Sequence, residues 1–181
     1  MRCYFAIIFG LASTSAFADL PVGEKKIVLS SASERIEIGT VNFTGGGSKR
    51  RITVTLNDKL LKDEFLSMRP FKCLESAKRY YCHVPYPYSW KGEVTEQDLG
   101  DLEYALLFVQ KEPNAYGINL WNGVYYKMVL GADGTISGKL NEVDMDSLAV
   151  PPKDGGLRPL TVDMLNEATP EQQWLPQLSI K

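Results

Sequence analysis

Histidine is all but missing from this chain. His83 is the only one in 181 residues, so a histidine-based metal site or a Ser-His-Asp machine has a single imidazole to draw on. No Gly-x-Ser-x-Gly nucleophile motif accompanies it. His83 directly follows Cys82, and neighbours on an extended strand point to opposite faces, so it reads as a surface or packed residue rather than a catalytic base. No basic block is present and the formal net charge is −2, which argues against nucleic acid as a partner. Cysteine is scarce, with three in all. Beyond the N-terminus no apolar run approaches the roughly 20 residues that a spanning helix needs. Internal repeats and low-complexity segments are missing as well.

The N-terminus reads as a secretory signal peptide over residues 1–18. Arg2 supplies a positive start, residues 4–12 are apolar, and Ala16-Phe17-Ala18 places small residues at the −3 and −1 positions of a cleavage site. Cleavage there leaves 163 of the 181 residues, with 19 basic and 22 acidic side chains. That length suits one domain able to bury about 70% of its unfolded surface. Cleavage also removes Cys3 and leaves Cys73 and Cys82, an even pair in an oxidising compartment, which predicts a disulfide. Their spacing matches neither zinc-ligand nor redox pairs. Closing a loop this short stabilises the fold by roughly 2–3 kcal/mol in the chain-entropy model.

Residues 26–30, 34–43 and 49–56 read as strands. The second and third alternate in polarity across the Gly45-Gly46-Gly47-Ser48 link, which predicts a hairpin with a bulge near Gly39. The triple glycine lacks the Lys-Ser/Thr ending of a phosphate loop. Residues 59–66 suit one or two helical turns, whereas residues 68–74 and 80–84 suit strands flanking the disulfide. A short helix is predicted from Thr95, interrupted at Gly100, and a buried strand over residues 102–109, with a helix through Lys111 as the alternative. Strands follow over 116–120, 123–130 and 135–140, the last two joined by a turn at Gly131-Ala132-Asp133-Gly134. The segment from Asp133 to Asp144 departs from a calcium loop at its third, fifth and final positions. Beyond Val150, prolines and glycines announce an arm, residues 151–181, with a helix start at Thr169-Pro170 and anchors at Trp174, Leu175 and Leu178. The expected fold is mainly β: a single-domain antiparallel β barrel or sandwich, residues 19–150, with one or two short helices and an extended C-terminal arm packed on it.

Ten of the twelve Tyr and Trp residues lie between Met68 and Met128. Tyr86 and Tyr88 sit in Pro85-Tyr86-Pro87-Tyr88, where two prolines impose an extended backbone and bar a central strand. Trp90 follows at once. Asn119, Trp121, Asn122 and Tyr125 mix rings with amides, and one ring of the Tyr125-Tyr126 pair is expected to face outward. Flat rings with amide donors suit a glycan, a peptidoglycan fragment or an envelope protein, with Arg69 as a contact for an anionic group or else an ordinary ion-pair partner. The carboxylates Glu93, Glu96, Asp98, Asp101 and Glu103 read as a solvated helix face; a pair of them is the alternative, an envelope-polymer hydrolase. The sequence thus points to an exported soluble protein, a non-enzymatic binding module without metal or cofactor. A structural envelope protein is the third possibility.

Overall fold

The computed structural model describes residues 19–65, 70–152 and 157–181. Residues 1–18, where a signal peptide is expected, Arg69 and the Gly155-Gly156 pair lie outside the described residues. Twelve strands form one antiparallel sheet. The first three are β1 (Gly23–Ser30), β2 (Arg35–Thr44) and β3 (Lys49–Leu56), a meander joined by tight turns. In the β1–β2 ladder Ile27 faces Gly39 and Val28 faces Glu37, so Ile38 is the extra residue of a bulge beside Gly39. The turn at Gly45-Gly46-Gly47-Ser48 closes the hairpin, with Thr44 opposite Arg51.

Next come β4 (Lys62–Phe65), β5 (Pro70–Glu75) and β6 (Tyr80–His83), in which Cys73 faces Cys82 across a hairpin and the two form a disulfide. Of the helical turns expected over residues 59–66, the described residues hold one, closed by the Leu60 and Leu61 N–H groups on the Asn57 carbonyl, and residues 62–65 are strand. Leu61 is buried as an anchor, and Lys62–Phe65 pair with β5, so ladder hydrogen bonds override a weak local period. The short β7 (Glu93–Thr95) pairs with β3. Thr95 and Asp98 then close a turn through reciprocal backbone bonds, and α1 (Gly100–Tyr104) begins at the glycine expected to interrupt it. The segment 102–109 is accordingly not one strand: Leu102 and Leu106, four apart, face one core, and strand β8 (Phe108–Lys111) follows. With nearly every position apolar, the run carries no period to distinguish the two.

Strands β9 (Gly123–Leu130) and β10 (Ile136–Val143) form the expected hairpin. Residues 116–120 are not a strand but lead into a 3-10 turn at Leu120–Asn122. The predicted helix start at Thr169-Pro170 yields one 3-10 turn, Pro170–Gln172, and β11 (Asn166–Glu167) pairs with β10. The last strand, β12 (Gln177–Ile180), runs between β10 and β1 and hydrogen-bonds to both. The arm does not merely lie over the sheet; it joins the sheet's two halves.

The strand order is β4-β5-β6-β8-β9-β10-β12-β1-β2-β3-β7. Among the described residues no pairing joins β4 to β7, so the sheet is not closed and the barrel alternative fails. Alternate residues of the middle strands feed two cores. Tyr81, Phe108, Val124 and Tyr126 face a core shared with Ile27, Ile38, Val41 and Phe43. Cys73, Cys82, Val109 and Tyr125 face a second core, covered by Met145, Leu148 and Leu160. This double coverage corrects two expectations. Tyr125 and Tyr126 are both buried, so Tyr125 offers no surface to a ligand. Asp101 and Glu103 are buried as well, not part of a solvated helix face.

Candidate functional site

Pro85 to Trp90 lies in the link between β6 and β7, and its two tyrosines are held by ring contacts and hydroxyl bonds. Tyr86 packs edge-on against Tyr104 and Tyr88, with centroids 5.0 and 5.6 Å apart. Its hydroxyl donates to the Leu157 carbonyl at 2.6 Å, and burial raises its pKa. Tyr88 donates to the Leu148 carbonyl at 3.0 Å. Trp90 is different. It is 39% exposed, and its indole N–H has no partner among the described residues. Gly92, with φ at +65°, then turns the chain into β7. A residue with a Cβ meets a steric penalty there.

Two depressions adjoin residues 85–93, one apolar and one charged. The apolar one, of about 440 Å³, is lined by Ile52, Val54, Leu56, His83, Pro85 and Trp90, with Tyr86 and Ala105. Val54 and Leu56 are only half-buried there. The lone histidine points into this space, on the side opposite Cys82, as strand alternation requires. Its Nε2 lies 3.0 Å from the Ala105 carbonyl oxygen. That oxygen only accepts, so Nε2 carries the proton. Burial lowers the His83 pKa, outweighing the Ala105 bond, so the ring is neutral at neutral pH.

The charged depression, of about 360 Å³, is lined by Lys49, Lys91, Glu93, Asp98, Asp101 and Arg158. Arg158 donates from Nε to Asp101 Oδ1 at 2.8 Å, from Nη2 to the same oxygen, and from Nη1 to Asp98 at 2.6 Å. The Glu93 N–H donates to Asp101 Oδ2 at 3.0 Å. Burial alone would raise the Asp98 pKa, but the Arg158 guanidinium and the Gly100 N–H hold it below the usual carboxylate range. The close stacking of Arg158 over α1 depends on Gly100, where a Cβ would lie 2.3 Å from Nη1. Glu93 completes the set, 3.9 Å from both Lys49 and Arg51. Each carboxylate in this depression is thus committed to a cation. Glu103, behind it, accepts from Tyr125 Oη at 2.5 Å, from the Met128 N–H at 2.7 Å and from Lys127 at 3.1 Å.

The remaining predicted residues stand apart from this cleft. Asn119 Oδ1 accepts from the Trp121 N–H at 3.0 Å and caps the 3-10 turn. Trp121 is 66% exposed, and its indole donates to Asp146 at 3.0 Å. Tyr88 and Trp121 therefore grip the two ends of one turn, Asp146–Leu148. Asn119 and Asn122 line a small depression of about 270 Å³ beside the exposed Tyr116. A larger opening, about 660 Å³, lies between the turns at 31–34 and 76–79 and residues 171–174. Most of the residues that line it are polar, and its one indole, Trp174, is already bonded to Glu34 at 2.7 Å.

Sequence reasoning missed three parts of the cleft: the Ile52–Val54–Leu56 wall, His83, and the Arg158–Asp101 pair. The wall carried a signal, a strand with no charge from residue 52 to residue 56. The ion pair did not, because its members are 57 positions apart. Compared with known proteins, the chain matches no family model, no curated protein and no solved structure.

Proposed function

We propose that this protein is an exported, non-enzymatic binding module whose binding site is the apolar cleft under Trp90. One observation carries the reading. A half-exposed indole with an unused N–H stands over an apolar space of about 440 Å³, on a segment held by two prolines and two tyrosine hydroxyl bonds. An aromatic carried on a backbone held in this way loses little backbone entropy on binding. Ligand classes that suit such a surface are a glycan, a peptidoglycan fragment and a segment of an envelope protein. The signal-peptide pattern of residues 1–18 and the Cys73–Cys82 disulfide support export. The hydrolase alternative gains no support from the carboxylates, since those in the charged depression are salt-bridged and Asp98 is held more acidic rather than less.

Tryptophan fluorescence tests the proposal. The purified protein is titrated with soluble glycans, peptidoglycan fragments and short capped peptides. A saturable shift that survives Trp121→Phe and vanishes in Trp90→Phe supports the site. A shift that vanishes only in Trp121→Phe moves the site to the 119–122 turn, and the proposal fails.

A further inference from the structure

Resting on that reading, we infer that the partner is an extended polypeptide segment, which adds to the sheet as a strand along the free outer edge of β3. The Ile52 N–H donates outward, away from β2, to the Gly92 carbonyl at 2.9 Å. N–H and C=O groups alternate sides along a strand, so those of Val54 and Leu56 point the same way. Strand β7 covers this edge only opposite Lys49, Arg50 and Arg51. At Gly92 the positive φ takes the chain out of the ladder. Beyond Ile52, the outward backbone groups of Val54 and Leu56 have no partner among the described residues.

Three further features suit an extended backbone. First, Val54 and Leu56 leave their side chains half-covered on the face that opens into the cleft, so a docked strand gains backbone bonds and apolar contacts together. Second, the edge is undefended. The other end of the sheet, β4, carries Lys62, Asp63 and Glu64, with Lys62 paired to Glu75 at 2.7 Å and Asp63 to Lys72 at 2.9 Å. Charges of that kind deter strand addition. Residues 52–56 of β3 bear none, and Thr53 and Thr55 are exposed between the apolar positions. Third, Lys91, between Trp90 and Gly92, is exposed and has no carboxylate partner among the described residues, which favours an acidic residue at the end of the segment nearest β7. A sugar chain has hydroxyls but no repeating N–H and C=O pair at strand spacing. A peptide with alternate apolar residues matches both the edge and the cleft.

The test uses a pool of capped heptapeptides with varied apolar residues at alternate positions, threonine between them and glutamate at one end. Hydrogen exchange of the Val54 and Leu56 amides is followed with and without the pool. At millimolar peptide these amides slow at least tenfold. A second pool, N-methylated on the pairing side, keeps its side chains and has no such effect. Val54→Pro removes the outward N–H, leaves the inward ladder to β2 in place and abolishes peptide binding, whereas Val54→Ala, which trims the side chain alone, retains it. If the proline variant does not fold, the two pools decide the matter. Unchanged exchange at Val54 and Leu56, or equal binding by the N-methylated pool, overturns the inference. A Trp90-dependent shift with glycans and no amide protection by peptides removes the peptide and leaves the binding module standing. Amide protection with no response at Trp90 keeps the strand addition and removes the aromatic cleft.

Discussion

Replacing Arg158 with leucine removes the charge that holds α1 to the segment beginning at residue 157. The wild-type pair is one-sided in its burial. Asp101 is 2% exposed, whereas the Arg158 side chain keeps 30% of its surface. Breaking a fully buried pair costs about 3–5 kcal/mol, because the remaining charge is left desolvated. Arg158 is partly solvated, so the expected loss is smaller, roughly 2–3 kcal/mol. In a chain of this length that lowers Tm by about 5–10 °C. The Asp98 arm adds little, since its side chain is 55% exposed. The partner variant Asp101→Leu leaves the Arg158 charge half in water and costs less, while the double variant, with no uncompensated charge, recovers most of the Arg158→Leu loss. Chemical denaturation of all four proteins gives the coupling energy directly. A loss under about 0.5 kcal/mol for Arg158→Leu, or strict additivity of the two changes, would refute the argument that Asp101 needs this partner.

Three other expectations follow from single contacts. The Tyr104 hydroxyl accepts the Leu160 N–H at 2.6 Å and donates to the Leu160 carbonyl at 3.3 Å; Tyr104→Phe strands both buried groups and costs about 1–3 kcal/mol by denaturant unfolding, and an unchanged midpoint would contradict this. Reducing the disulfide, which spans nine positions, costs roughly 2–3 kcal/mol, measured as the stability difference between wild type and a Cys73→Ala/Cys82→Ala variant. Because burial lowers the folded His83 pKa beneath the ordinary 6.5, the unfolded chain binds its proton first. Stability is therefore full above about pH 6.5, falls as the pH drops below it, and levels once the folded His83 protonates too. His83→Gln flattens that window, and parallel losses in both proteins between pH 7 and 5.5 would argue against the histidine as the cause.

The sequence made the outer hairpins legible where one face of a strand meets water. β2, β3 and β10 alternate, and their turns carry glycine at positive φ, as at Gly47 and Gly134. Legibility ends where both faces are buried. Residues 102–111 are buried at every position but Ala105, so neither period survives to tell α1 from β8, and the same double coverage hides Tyr125. Long-range placement is not written locally at all. Nothing in Gln177–Ile180 announces that it will sit between β10 and β1, and nothing near Trp90 points to Val54. Of the predicted site residues, Tyr86 and Trp90 meet in one cleft. Tyr88 and Trp121 share a different turn through their hydrogen bonds. Proline stiffness was a reliable guide to the first pair because it fixes backbone direction without help from tertiary contacts.

Amide hydrogen exchange along β3 in the free protein tests the central claim, a vacant strand edge beside the Trp90 cleft. The account predicts alternation: Thr53 and Thr55, bonded inward to β2, exchange slowly, and Val54 and Leu56 exchange fast. Equal protection at all four amides would mean that the edge is already occupied, and the binding cleft would have to be sought elsewhere.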